Sequence, residues 1–329
     1  MHSKERNPRT MRVKPLRGKG PSPTRRDGFI ELPWYATLKH FATKANNKKG
    51  YDLVLTGPAS SGKTTAAYML AHDLKYDIVV QQCHRRVEVE EFKGTRSIVP
   101  GKGGMPITGF DPGSLTRAVL ECRTKKGVVY LIDEIALVDP AMLAILNNLT
   151  QRDKHSCLSV PELGKEFQRP DNLIIIGTMN PEYAGNHSLS EAFLSRVVLL
   201  ECPMMSRQHV RSIMLLHYPK PVHVNMATRL MFYIESGRIN QIHQWEPDLR
   251  TMLQFLDLWI ALEPGFSNGR PLDNMLAAFE QVIAPKIGWI DSYASVREAI
   301  KKAIRASLGS GIPADDDDDV TFVAPMDDE

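Results

Sequence analysis

Eight consecutive residues, Gly57-Pro58-Ala59-Ser60-Ser61-Gly62-Lys63-Thr64, fit the phosphate-loop spacing G-x-x-x-x-G-K-[ST]. Glycines in such a loop let backbone N–H groups turn inward around an anion, and a helix beginning there adds its positive N-terminal end. Lys63 would reach the β and γ phosphates of a nucleoside triphosphate, and Thr64 would hold Mg²⁺. A second motif, the acidic pair Asp133-Glu134, closes an apolar run. There Asp133 can bind Mg²⁺ through water, and Glu134 can polarise an attacking water. Asn180, in Thr178-Met179-Asn180-Pro181, has an amide that donates and accepts, so it can orient that water or touch the γ-phosphate.

These residues need strands that end beside one another. Leu53-Val54-Leu55 precedes the phosphate loop, and a helical Thr65-Ala66-Ala67-Tyr68-Met69-Leu70 follows it, with Thr65 counted among the nucleotide contacts. Asp77 to Val80, Gly127 to Asp133, Asn172 to Gly177 and Val197 to Leu200 read as further strands. Leu115 to Cys122 reads as a helix, and Asp139-Pro140 as a helix start with its N-cap and first-turn proline. Strand–helix alternation predicts a parallel α/β sheet flanked by helices. From about Ser206 the apolar spacing turns helical, in Val210-Ile213-Met214-Leu216, in Met252-Phe255-Leu256-Trp259 and in Met275-Ala278-Phe279-Val282. That predicts a smaller helical lid domain.

The chain has 329 residues and a net charge of +3, too near neutral to imply a polyanionic partner for the whole. The charge is polarised. Residues 1–28 hold nine Lys/Arg and two acids, and 314–329 hold eight acids, Asp315 to Asp319 among them. Such segments bury too little apolar surface to offset chain entropy. The expected organisation is therefore a basic disordered arm (1–28), a nucleotide-binding α/β domain (29–205), a helical lid (206–310) and an acidic disordered tail (311–329). Gly101-Lys102-Gly103-Gly104 lacks phosphate-loop spacing and reads as a loop tip. The four cysteines have no C-x-x-C spacing, so neither a disulfide framework nor a zinc site is expected. No apolar run has signal-peptide or membrane-spanning length, and the expected location is cytoplasmic.

In order, the phosphate loop, the strand ending Asp-Glu, the strand ending Thr-x-Asn-Pro and the segment Leu189-Ser190-Glu191-Ala192-Phe193-Leu194-Ser195-Arg196 before a short strand resemble AAA+ ATPases of the MoxR type. Relatives include the ATPase subunits of cobalt and magnesium chelatases and the gas-vesicle, Rubisco-activating and nitric-oxide-reductase-activating ATPases. The resemblance covers about residues 30 to 260. It implies strand order 5-1-4-3-2, ATP and Mg²⁺ as ligands, and a homo-hexameric ring. It assigns Lys63 and Thr64 to Walker A, Asp133 and Glu134 to Walker B, Asn180 to sensor 1 and Arg196 to the arginine finger.

Where the family usually has Asp-Arg-Phe, this chain has Ser195-Arg196-Val197, so Arg207 and Arg211 stay as alternatives. Arg250 is the sensor 2 candidate, without the Ser-Pro-Arg often seen there. Residues 92–112 and Ser156 to Arg169 fall where the clade inserts a loop or hairpin, and such insertions can face a ring's pore. The resemblance further implies remodelling of a partner protein with a separate von Willebrand A-type adaptor. A metal-chelatase ATPase subunit, and a nucleic-acid motor or restriction NTPase using the basic arm, remain as other readings.

Overall fold

The computed structural model describes residues 12–13, 29–43, 50–100, 106–151, 153–181, 186–218, 221–239, 247–262, 271–287 and 294–309. They divide into two compact units, Met1–Met204 and Met205–Glu329.

In the first unit, β1 (Arg12–Val13) and α1 (Pro33–Thr43) precede β2 (Leu53–Thr56), α2 (Lys63–Leu74) and β3 (Asp77–Gln82). Next come α3 (Val89–Lys93), β4 (Gly94–Pro100), β5 (Pro106–Pro112), α4 (Ser114–Glu121) and β6 (Val128–Asp133). Then follow α5 (Pro140–Thr150), β7 (Cys157–Val160), β8 (Lys165–Gln168), β9 (Leu173–Met179), α6 (Glu191–Leu194) and β10 (Val198–Glu201). Five strands form a parallel sheet in the order β10-β2-β9-β6-β3. Numbered along the chain, these core strands lie 5-1-4-3-2, the order the resemblance implies.

The central strands are apolar at nearly every position because helices cover both faces. Val54, Val79, Tyr130, Ile132 and Ile175 pack into one cluster with Leu115 and Val119 of α4, Leu143 and Leu146 of α5, and Phe193 of α6. The alternating residues Leu53, Leu55, Leu131 and Ile176 are equally buried but lie outside that cluster, as a two-residue period requires. Asp139 caps α5, accepting from Ala141 N at 2.8 Å, with Pro140 at the first helical position.

Both insertions are antiparallel hairpins. The first pairs β4 with β5 over seven positions, from Gly94↔Pro112 to Pro100↔Pro106, between α3 and α4. Its tip, Gly101 to Met105, lies outside the described residues. The second pairs β7 with β8 and turns at Gly164, whose φ of 59° is left-handed. The hairpins touch: Arg96 Nε donates to the Glu162 carbonyl at 3.2 Å.

The expectation of disorder across residues 1–28 does not hold at two of them. Arg12 and Val13 form β1, pairing parallel with Gly109 and Phe110 of β5. The physical reason is the free edge of β5, whose unpaired backbone groups template an added strand whatever its side chains. The rest of the arm, and the whole expected tail, residues 311–329, lie outside the described residues.

The second unit is helical: α7 (Arg207–His217), α8 (Pro221–Ile239), α9 (Leu249–Leu262), α10 (Pro271–Ala278), α11 (Ala284–Ile287) and α12 (Ala294–Gly309), with a π turn at Phe279–Ile283 joining α10 to α11. Val210, Met214, Leu230, Ile234, Met252, Phe255, Trp259, Phe279 and Ile300 meet in its core. Each such side chain contributes roughly 1.5–3 kcal/mol by leaving water. No helix among the described residues is long and apolar enough to cross a membrane.

Candidate nucleotide site

The C-terminal ends of parallel strands are where open α/β sheets bind ligands. Here β2, β6 and β9 end side by side. After β2 the chain enters the phosphate loop through Gly57, whose backbone N donates to Met179 O at 3.2 Å. A Cβ at Gly57 would stand 2.1 Å from the Cys202 carbonyl, so no side chain fits. Ser60 and Gly62 take positive φ, 59° and 86°, which curls the loop, and Gly62 is the N-cap of α2. Ala59 and Thr65 are exposed, and Pro58 and Ser60 are partly so, while Ser61 is buried.

Lys63 folds back over the loop. Its Nζ donates to Gly57 O at 2.9 Å, Pro58 O at 2.6 Å and Ser61 Oγ at 3.2 Å. Burial lowers its pKa from the usual lysine value, and the nearby Asp133 carboxylate opposes that shift. The three acceptors can take all three ammonium N–H groups but carry no charge, so anionic phosphate oxygens compete well for it.

The acidic pair is locked to the loop. Thr64 Oγ1 donates to Asp133 Oδ1 at 2.9 Å, across a sequence separation of 69 residues. Thr178 Oγ1 donates to the same oxygen at 2.6 Å and accepts the backbone N–H of Glu134 at 3.1 Å. Glu134 stands exposed with a left-handed φ of 59°, at the start of a 3₁₀ turn over Ile135–Leu137. Positive φ at a non-glycine residue is costly and persists where the surroundings impose it. The Thr178 hydroxyl supplies part of that constraint, and it turns the Glu134 carboxylate out of the strand line toward solvent. Sequence reasoning names Thr178 only as part of the strand-end motif, whereas here its hydroxyl joins Asp133 to the Glu134 backbone. The pairing follows from the register of the folded sheet: Ile132 pairs with Gly177, so the next residues of the two strands are Asp133 and Thr178.

Asn180 follows β9 immediately, one residue past the Met179 carbonyl that anchors Gly57, and its own carbonyl accepts from Asn186 Nδ2. Arg196 is not part of this cluster. It precedes the N-terminal end of β10, whereas the phosphate loop follows the C-terminal end of the parallel neighbour β2, with Val198↔Leu53 and Glu201↔Thr56 in register. Its Nη1 turns back to the Ala192 carbonyl, and its buried Nε has no partner. The alternatives are engaged elsewhere: the Arg207 guanidinium lies 4.7 Å from the Phe232 ring centre, and Arg211 Nε donates to Asn225 Oδ1 at 2.7 Å. Arg250 is exposed at the second position of α9, in the second unit.

The donor set suits a small hard cation. Thr64 and Asp133 offer hydroxyl and carboxylate oxygens and nothing softer, which fits Mg²⁺. Among the described residues no group of three or more His, Cys, Asp or Glu could hold a metal on its own, so such an ion would draw further oxygens from water and phosphate, as Mg²⁺ does.

A glycine-curled loop capping a helix, a lysine withheld on loop carbonyls and a strand-end Asp-Glu pair, all on a 5-1-4-3-2 parallel sheet, define a P-loop NTPase with the AAA+ fold. Residues 52–197 match the family model of the AAA domain, dynein-related subfamily. An uncharacterised protein of Staphylococcus epidermidis is 25% identical over 201 residues, 61% of this chain and 69% of that protein. The uncharacterised protein YojN of Bacillus subtilis is 26% identical over 166 residues, 50% of this chain and 52% of YojN. Among solved structures, the Thermotoga maritima RuvB Holliday junction branch migration motor aligns with a TM-score of 0.52 at 17% identity, over 89% of this chain and 85% of that one. At that identity the likeness is one of fold.

Proposed function

We propose that this chain is an ATPase of the MoxR type that hydrolyses the β–γ phosphoanhydride of ATP as a ring, and couples the cycle to remodelling of a partner protein. The observation that carries the hydrolytic reading is the shared oxygen of Asp133, which joins the phosphate-loop hydroxyl of Thr64 to the β9 hydroxyl of Thr178. Nucleotide grip and the water-activating residue are thereby linked through one carboxylate.

On binding, Lys63 would exchange the Gly57 and Pro58 carbonyls for β and γ phosphate oxygens. Thr64 and Asp133 would hold Mg²⁺, which supplies charge neutralisation on those phosphates when bound. Glu134 orients the attacking water and takes up its proton, while Asn180 hydrogen-bonds at the γ-phosphate. Arg196 acts from a second copy. The four-residue strand β10 by itself separates it from its own loop by about 10 Å, and the two lie beyond opposite ends.

Mixing tests this directly. Arg196→Ala should leave ATP binding nearly intact and reduce hydrolysis by about 10³-fold or more. Combined with Glu134→Gln subunits, each inactive alone, it should regain partial activity, because some interfaces then pair an intact Glu134 with an intact Arg196. No rescue in demonstrated mixed rings would overturn the trans assignment and return the role to Arg207 or Arg211. Remodelling itself is read by recovering, from the native cell, a partner that stimulates hydrolysis. Stimulation by nucleic acid instead of protein would favour the motor reading.

A further inference from the structure

Beside the phosphate loop, on the side away from Asp133, lies a cavity of about 450 Å³ lined by Thr56, Gly57, Pro58, Pro181, Leu199 and Glu201. Of these six residues Glu201 alone carries a charge. Leu199 and Glu201 are two apart on β10 and so share a face. Both are exposed, Leu199 by 54%, on the strand at the edge of the sheet. No role in phosphate binding follows for Glu201, since a carboxylate beside a triphosphate repels it.

At the other end of the same strand the chemistry is complementary. Arg196 is partly exposed, with Nη1 on the Ala192 carbonyl and a buried Nε that has no partner, and Leu194, exposed by 38%, lies two residues before it. One end of β10 thus offers a leucine and an arginine, and the other a leucine and a glutamate. The two ends cannot meet within one chain, because a strand does not fold back on itself. They can meet only between copies, end to opposite end, a heterologous contact that builds a ring where the rotation between copies closes.

We propose that the Leu199–Glu201 cavity receives Arg196 of a second copy, with Glu201 as the positioning residue that holds the guanidinium at the rim of the phosphate loop and Leu199 packing against the neighbour's Leu194. This rests on the trans reading of Arg196 and adds the surface that accepts it. Glu201 steers the arginine toward an otherwise uncompensated cation site and fixes it there by a charge-assisted hydrogen bond, before and after a γ-phosphate is present to compete. The cost of ordering a long side chain is then met at assembly, ahead of the chemical step.

The test is charge exchange, read as assembly by sedimentation velocity in the presence of a slowly hydrolysed ATP analogue, with thermal melting as the check on folding. Glu201→Arg should raise the protein concentration needed for half-assembly by about tenfold or more, since like charges then face each other. Glu201→Gln should raise it less. The double variant Arg196→Glu with Glu201→Arg should recover most of the parental assembly while remaining inactive in hydrolysis, because its interface is complementary but its finger is gone. Parental assembly by a folded Glu201→Arg protein overturns the proposal, and so does a double variant no better than the single one. If the Arg196→Ala and Glu134→Gln mixture still regains activity in that event, the trans reading stands and only the docking surface falls.

Discussion

Two aspartates mark the two ends of the central sheet, and their surroundings differ in kind. Asp52, fully buried at the end where β2 begins, has its cation inside the chain: Arg169 Nη2 lies 3.0 Å from Oδ1, and the backbone N of Ile175 donates to the same oxygen at 2.9 Å. Arg169 also donates to the carbonyls of Leu149 and Leu173, both at 2.9 Å. Asp133, at the opposite end and partly open to solvent, has two hydroxyls and, among the described residues, no basic side chain in hydrogen-bond contact. The difference separates structure from chemistry. A carboxylate paired internally with a buried guanidinium fastens strands, and one presented among hydroxyls is ready for a cation from solution.

That contrast can be broken from either end. The largest effect is expected from Asp133→Asn, which should cut Mg²⁺-dependent hydrolysis by about 10³-fold or more while thermal melting barely moves. An Mg²⁺ titration of turnover reads it, and retained activity would make Asp133 structural as well. At the other end, Asp52→Ala should cost about 3–5 kcal/mol of stability, because Arg169 is left charged and buried. Denaturant unfolding measures this, and the protein that stays folded should still bind nucleotide.

A smaller loss, about 10-fold to 100-fold in kcat with near-parental ATP affinity, is expected for Thr178→Val, which removes the hydroxyl from Asp133 and Glu134 without changing side-chain volume much. Equal falls in affinity and kcat would place Thr178 in binding instead. The mildest signature is in pH. Since burial lowers the Lys63 pKa in the free protein and a bound phosphate raises it, binding takes up protons on the alkaline side. ATP affinity should therefore weaken as pH rises, at lower pH than an exposed lysine would show, and calorimetry in buffers of different ionisation enthalpy detects the uptake.

Asp133 was legible in the sequence and Asp52 was not, for a physical reason. Gly57 to Thr64 and the strand ending Asp133-Glu134 are local patterns, whose chemistry is carried by neighbours in the chain. Asp52 gains its meaning from Arg169, 117 residues later, through a contact that exists only after the strands are ordered. Thr178 is hidden in the same way, since its partner Asp133 is set by register between β6 and β9. The two-residue strand at Arg12–Val13 has no apolar alternation to announce it, because backbone pairing alone makes it. Composition finds cores and motifs, whereas cross-strand partners need the strand order first.

That strand order also has a consequence for how the protein is made. The strand that carries the phosphate loop, β2, lies between β9 and β10, with Leu53 paired to Ile176 and to Val198, separations of 176 − 53 = 123 and 198 − 53 = 145 residues. Contacts this distant in sequence form slowly, since the loop-closure entropy is lost before any pairing compensates it. On the ribosome, residues 57–64 emerge early but stay unsupported until Glu201 has left the exit tunnel. Gly57 then meets the Cys202 carbonyl that closes over it. The nucleotide loop is synthesised well before the strand that completes it, so a ribosome stalled before residue 198 would carry a nascent chain with the full motif and no competence to bind ATP.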